Sequence, residues 1–323
     1  MADTIFVSKV EDGVRLQRWF LRQFPSLPLR EFYKLCRGGQ IRVNSKRVKG
    51  QEILRIGDAV RVPPTLTNYA NAAKQKTESG ELFSLTDLEK LRMCIIHNDD
   101  DIVVFNKPAG LAVQGGTGIK KSIDKMAVAL FPYDKIALVH RLDRETSGIL
   151  VVAKNQKAAQ NLAEQFQNRK AHKYYVALLN GYVKDGTGII DNWVLKGQVF
   201  DNPGRLNNGT GQRPQRAVTE YKVLGRAADC VSWVQFSPKT GRTHQLRLHS
   251  AFSLDAPIVG DDLYGGCVRN GGALSTMLET NNLFLFAYQL TFQHPGTGRM
   301  MTMRAKVPEF MLPVLKFLEL QLP

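Results

Sequence analysis

The sequence predicts an α+β fold, a large domain on a mixed, mainly antiparallel sheet preceded by a small α+β domain. Three observations predict it. Beyond residue 93 short runs rich in Val, Ile and Tyr recur at 94–96, 102–105, 111–113, 149–152, 174–179, 217–224 and 230–236, each the length of a strand. Helical stretches interrupt them only near 122–131, 156–168 and 308–320, too sparsely for a regular βαβ succession. The chain before residue 64 carries a pattern of its own, two helices followed by short strands.

In that first domain, residues 8–63, Gly13 precedes an apolar periodicity at Leu16, Trp19, Phe20 and Phe24. Pro25 and Pro28 break it, and Phe32, Tyr33 and Leu35 begin a second helix. After Gly38 and Gly39 come short strands at 41–43, 47–48 and 59–62, with turns at Asn44-Ser45 and Gly57-Asp58. Residues 64–90 are polar and poorly periodic and read as a linker. The second domain takes 91–323.

The chain has 323 residues, 44 Lys+Arg and 29 Asp+Glu, a net charge of +15 that calls for a polyanionic partner. A membrane partner is not expected, because no apolar run approaches the ~20 residues of a spanning helix. The first residues lack the basic and apolar segments of a signal peptide, so the cytoplasm is the expected location. Cys36, Cys94, Cys230 and Cys267 are too scattered for a zinc site or a disulfide framework and read as reduced thiols. His244 and His249 have no nearby third ligand, and the clusters Asp99–Asp101 and Asp261-Asp262 read as turns, so no metal is expected. Gly115–Ser122 resembles a phosphate loop, but Ile119 and a second lysine stand where a glycine must precede Lys-Ser. The Gly/Asn-rich segment 200–216 either closes over a ligand or simply connects two strands.

Asp143 lies between Arg141 and Arg144 just before an apolar strand. In such low-dielectric surroundings guanidinium groups would keep a carboxylate ionised and fixed in direction, fit to act as nucleophile or base. A second run, 240–249, alternates so that Thr243, Gln245 and Arg247 share one face of an expected strand, with Arg242, His244, Leu246 and Leu248 on the other. Together, His140–Gly148 and Gly241–His249 resemble the motifs of the RluA-type pseudouridine synthases. The blocks Asn106-Lys-Pro-Ala-Gly110, Lys173-Tyr-Tyr175 and Gly260-Asp-Asp-Leu-Tyr-Gly265 resemble the smaller motifs that accompany them, in family order.

The resemblance implies the fold already described and an isomerisation of uridine to pseudouridine in RNA that needs no cofactor. It implies that Asp143 is catalytic, that Arg242 forms a salt bridge with it, and that Tyr175 stacks on the uracil. Leu246 would cover the base's other face, and Arg141 would fill the space left by the flipped nucleotide. Whether Asp143 attacks carbon or removes the C2′ proton stays open. One departure is Leu285-Phe-Ala287, where relatives often have Leu-His-Ala.

The first domain resembles an S4 RNA-binding domain in Arg15-Leu16, 35–44 and 57–62. Between Arg30 and Lys49 it concentrates a net charge of +6, and Arg30, Lys34, Arg37, Arg42, Lys46 and Arg47 are its expected phosphate ligands. Large-subunit ribosomal RNA is the expected partner, and a monomer the expected state. A non-catalytic RNA-binding or ribosome-assembly protein would keep the basic face but lose Asp143, Arg242 or Tyr175, all of which are present. A glycoside or nucleoside hydrolase normally needs two catalytic carboxylates, and the motifs hold one.

Overall fold

The computed structural model describes residues 3–8, 11–24, 27, 29–63, 66, 83–116, 119–195, 197–201, 213–227, 230–265 and 282–323. Its contacts divide the chain into two units, 1–105 with 112–141 and 150–163, and 106–111 with 142–149 and 164–323.

The first unit begins with β1 (Asp3–Phe6), α1 (Leu16–Gln23), α2 (Leu29–Arg37), β2 (Arg42–Val43), β3 (Lys46–Arg47) and β4 (Ala59–Val62). The strands pair antiparallel in the order β1-β4-β2-β3. Leu16, Trp19 and Phe20 recur at helical spacing and are fully buried, so α1 closes its apolar stripe over the sheet and α2. Phe20 meets Phe24 and Phe32 at centroid distances of 5.0 and 5.4 Å. Asn44 and Ser45 make the β2–β3 turn with φ of 48° and 66°, the left-handed pair that a tight hairpin requires.

Of the expected linker, residues 64, 65 and 67–82 lie outside the described residues, and its last part is helical. Helix α3 (Leu85–Met93) starts at a capping box in which the Ser84 hydroxyl accepts from the Asp87 N–H and the Asp87 carboxylate accepts from the Ser84 N–H. After it come β5 (Ile95–Asn98), β6 (Ile102–Lys107), α4 (Ile123–Leu130), β7 (Ala137–Leu138), β8 (Ser147–Ala153) and α5 (Gln156–Gln167). Every residue of β8 is buried, as its unbroken apolar run requires. The run at 111–113 forms only one bridge, Ala112 to Ser122.

Buried charges tie α1 to the strands of this unit. Lys154 is buried, donates to the Asn98 side chain and the Asp99 carbonyl, and lies 3.5 Å from the Asp134 carboxylate. Arg18 reaches the same Asp134 at 3.0 Å and Asp100 at 2.8 Å.

The second unit holds β9 (His172–Asn180), β10 (Thr187–Leu195), β11 (Gln198–Phe200), β12 (Gln215–Ala227), β13 (Val231–Pro238), β14 (Leu285–Gln293) and β15 (Met300–Arg304). Their order is β11-β10-β12-β13-β9-β14, with β15 beside β14. These ladders are antiparallel, whereas β14 meets the first residues of β8 in parallel. The sheet is therefore mixed and mainly antiparallel. Trp233, Phe236, Phe284 and Phe286 fill its core with Met311 and Val314 from the C-terminal turns. Phe286, the departure noted above, is fully buried.

Residues 240–249 depart from expectation. Instead of a strand, the chain turns at His244, whose φ is 54°, and enters helix α6 (Gln245–Leu248), which continues as a π-helical turn, His249–Ser253. All residues from Gln245 to Ser250 are buried, and a helix buried all round carries no readable period. Cys36 is buried and its thiol is pushed up to about 12, chiefly by burial, which leaves it unreactive. Cys94 and Cys230 are free, and Cys267 lies outside the described residues. No described helix is long and apolar enough to cross a membrane.

Replacing Arg18 by Ala removes its ion pairs to Asp100 and to Asp134, whose side chain is 1% exposed. We expect a loss of about 2 kcal/mol in urea unfolding. A change below about 0.5 kcal/mol, the size of an ordinary surface substitution, would show that the contact is dispensable.

Candidate active site

Asp143 sits on the short connection that leads into β8, half-exposed, and its carbonyl accepts from the Thr146 N–H at 3.1 Å to form a turn. Two features hold this connection. The buried Lys107 ammonium donates to the carbonyls of Pro108, Leu111 and Arg144 at 2.8, 2.9 and 2.8 Å, and the Gly110 N–H also donates to Arg144. Gly148, with φ of 117°, lets β8 lie against β14 so closely that a Cβ there would fall 2.2 Å from the Ala287 carbonyl oxygen. Burial pulls the Lys107 pKa from 10.5 down to about 7, against the opposing charges of Glu145 and Asp143.

Behind Asp143 stands Arg247. It is 6% exposed and donates in two-pronged fashion to Asp261 at 2.8 and 2.6 Å. Burial works against its charge but is overcome by the hydrogen bond and charge of Asp261, then by Asp143, so the guanidinium pKa is raised. The Asp261 carboxylate is itself held by the N–H groups of Leu263 and Tyr264 at 3.0 and 3.1 Å. The Tyr264 ring lies under the Arg247 guanidinium at 5.2 Å.

The motif at 240–247 is organised by Gln245. Its carbonyl oxygen accepts from the Thr240 hydroxyl at 2.7 Å and the Arg242 N–H at 3.0 Å, and its amide donates to the Val218 carbonyl and the Thr219 hydroxyl. This pins the turn that aims α6 and Arg247.

Among the described residues no ion pair joins Arg242 to Asp143; the Arg242 Nε donates to the Arg216 carbonyl at 3.1 Å. The charge of Asp143 helps to raise the pKa of the Arg247 guanidinium, although among the described residues no ion pair joins these two either. Tyr175 lies on β9 opposite Phe236, and burial, then the charge of Asp143, raise the pKa of its phenol. The phenol stays protonated near neutral pH and offers a ring face and a donor, not a base. Tyr174 packs against Tyr288, as alternation along the strand requires. Leu246 is buried on α6 within the second unit's core, and Arg141 is exposed two residues before Asp143.

On the first domain, Arg30, Lys34 and Arg37 are exposed along α2, and Lys46 and Arg47 on β3. Arg42 is half-buried and donates to the carbonyls of Gly39 and Ser45, so part of its charge serves the hairpin itself. Sequence reasoning passed over Lys107, Arg247 and Asp261. Each lies inside a motif block, but in extended-strand terms Arg247 faced away from Arg242, and Lys107, between Asn106 and Pro108, carried no mark of burial.

The profile of the RNA pseudouridylate synthase family matches residues 101–252, and that of the S4 domain matches 14–60. Ribosomal large subunit pseudouridine synthase C of Vibrio vulnificus is 38% identical over 299 residues, covering 92% of this chain and 90% of that protein. The protein of the same name from Escherichia coli is 34% identical over 306 residues, 94% of this chain and 93% of that one. Among solved structures, human RNA Pseudouridylate Synthase Domain Containing 4 superposes with a TM-score of 0.62 and 29% identity, covering 73% of this chain and 97% of that one. Running through the S4 domain and the segments that carry Asp143, Tyr175 and Arg247, the likeness extends along nearly the whole chain, which belongs to the RNA pseudouridylate synthase family.

Proposed function

We propose that this protein isomerises specific uridines of large-subunit ribosomal RNA to pseudouridine, as a cytoplasmic monomer in which residues 8–63 help to select the RNA. The observation that carries the reading is Asp143, a half-exposed carboxylate on a pinned connection, backed by a buried guanidinium whose own charge is secured by Asp261. The names of its relatives supply the RNA class.

In this reading the N1–C1′ bond of a flipped uridine breaks, the uracil turns, C5 joins C1′, and the proton on C5 leaves to water while N1 takes up a proton from water. Nothing is oxidised or reduced, and no cofactor is required. Asp143 acts at the sugar or base, Arg247 sets an opposite charge against it, and Tyr175 supports the uracil with its ring. Leu246 closes the far side of the pocket and Arg141 occupies the stack that the base has left.

The direct experiment supplies the purified protein with ribosomal RNA tritiated at uracil C5 and follows tritium release. Asp143→Asn should bind RNA normally and lose at least about a thousandfold in turnover. Appreciable activity in that variant would remove Asp143 from the chemistry. Arg247→Lys should lower the single-turnover rate by about a hundredfold, because an ammonium cannot both fork onto Asp261 and face Asp143. Arg242→Lys should leave that rate nearly unchanged. The opposite ranking would restore Arg242 as the partner of Asp143.

Lys107→Met keeps the apolar stem and leaves three carbonyls without their donor, for an expected loss of roughly 2–4 kcal/mol in unfolding free energy. Its folded pKa of about 7 lies below the ordinary 10.5, so between those values the unfolded chain holds a proton that the folded one has released. The Lys107 contribution to stability should therefore rise with pH across that window, and urea titrations from pH 7 to pH 10 should lose this slope in the variant. An identical slope in both proteins would place the titration elsewhere.

Joint replacement of Arg37, Lys46 and Arg47 by Ala should weaken RNA binding and reduce the slope of log affinity against log salt by roughly 2, with the saturated single-turnover rate unchanged. Equal slopes would make the basic face a solubility surface.

A further inference from the structure

Among the described residues Arg242 makes no ion pair with Asp143, and its surroundings point to another role. Beside the Arg247–Asp261 pair lies a cavity of about 470 Å³, within the size range of sites for small organic molecules. Val194, Leu195 and Leu248 give it an apolar wall, and Arg213, Arg242, His244 and Tyr264 give it a polar one. The His244 Nδ1 and the Tyr264 hydroxyl are 2.9 Å apart, and the two rings meet edge to face. Gly197, with φ of 80°, leaves room for that hydroxyl, since a Cβ there would stand 3.3 Å from it.

Two facts select the occupant. The first is an excess of unpaired cations. Among the described residues nothing accepts from the Nη groups of Arg242 or from the side chain of Arg213, and no carboxylate pairs with either. Lys173 adds a third such cation. Its ammonium lies 3.7 Å from where a Gly241 side chain would begin, it has no partner among the described residues, and it shares a face of β9 with Tyr175 two residues on. The second fact is continuity. Tyr264, which lines the cavity, also lies under Arg247, so an occupant sits next to the group that Asp143 acts on.

We propose that this cavity is a subsite for the nucleotide adjoining the target uridine, with the linking phosphate between Lys173 and Arg242 and the base against Tyr264, His244 and Leu248. The reading rests on the pseudouridine synthase activity. It accounts for the cations by charge-assisted contacts to phosphate, and for the mixed walls by a base that needs one apolar face and one polar edge. It also gives a reason for the missing side chain at Gly241, where the phosphodiester would pass between the two cations.

The test uses the full-length protein and short ribosomal RNA substrates that carry, one position at a time, an abasic residue or a neutral methylphosphonate around the target. Thr243 is exposed at the cavity, so Thr243→Trp should fill it without disturbing the core. For the wild-type protein, one neighbouring abasic position and its linking methylphosphonate should each raise KM by about tenfold or more, with the saturated single-turnover rate preserved. Thr243→Trp should raise KM similarly and abolish sensitivity to the abasic position. Arg242→Gln should abolish sensitivity to the methylphosphonate, so that variant and modification together cost no more than either alone.

Multiplicative losses in both pairs, or a Thr243→Trp protein with unchanged KM and unchanged abasic sensitivity, would overturn the subsite. Failure of the wild-type protein to form pseudouridine in any unmodified RNA is a separate result that counts against the activity. Direct binding of the same RNA set would then still report whether the cavity reads a neighbouring nucleotide.

Discussion

A buried guanidinium, Arg247, gripped by one carboxylate and turned toward another, is the interaction on which the rest of the site depends. An isolated charge in this position would be costly, and the fork onto Asp261 at 2.8 and 2.6 Å offsets much of that cost. Asp261 in turn is fixed by two backbone N–H groups and by the turn at Gly260, whose φ of 75° and close approach to the Asn282 carbonyl leave no space for a side chain. Arg247 reaches the pair only because the chain enters a helix after His244, and Gln245 closes that turn with four hydrogen bonds. Arg247, Asp261 and Gln245 are all buried, so none of the three can relax toward water if its neighbour moves.

The other half of the site is built by the same logic with a different cation. Among the described residues Lys107 makes no ion pair; it gathers three carbonyls and so binds the loop of Asn106–Gly110 to the residue that follows Asp143. Asp143 itself keeps partial access to solvent. Its position comes from Lys107 and from Gly148 against Ala287, and its charge helps to raise the pKa of the Arg247 guanidinium. Among the described residues Asp143 makes no direct ion pair.

Much of this was legible from residues. The apolar runs located β6, β8, β9, β12 and β13, the periodicities of Leu16–Phe20 and Phe32–Leu35 located α1 and α2, and Asp143 stood out by its flanks. Strand β10 escaped because Asp191 and Asn192 interrupt its alternation; Asn192 is buried only because it accepts from His249 and donates to Ser253. Helix α6 escaped because complete burial erases periodicity. The capping box at Ser84 was present in the sequence but submerged in the polar composition around it. Arg242 was paired with Asp143 by resemblance alone, and the left-handed residue His244 undoes only the alternation by which 240–249 read as a strand.

The contact between Arg18 and Asp134 bears on how such proteins diversify. S4 domains look like interchangeable parts, yet here helix α1 carries an arginine whose counter-charges, Asp100 and Asp134, belong to the strands and turns that follow. A graft that brought in a foreign S4 domain without an arginine at this position would bury Asp134 beside Lys154 with its third member gone. Exchange between relatives must therefore carry both sides of the junction, or replace the whole charge cluster by apolar residues in one step. Recombination would pass through the junction more easily than point mutation would.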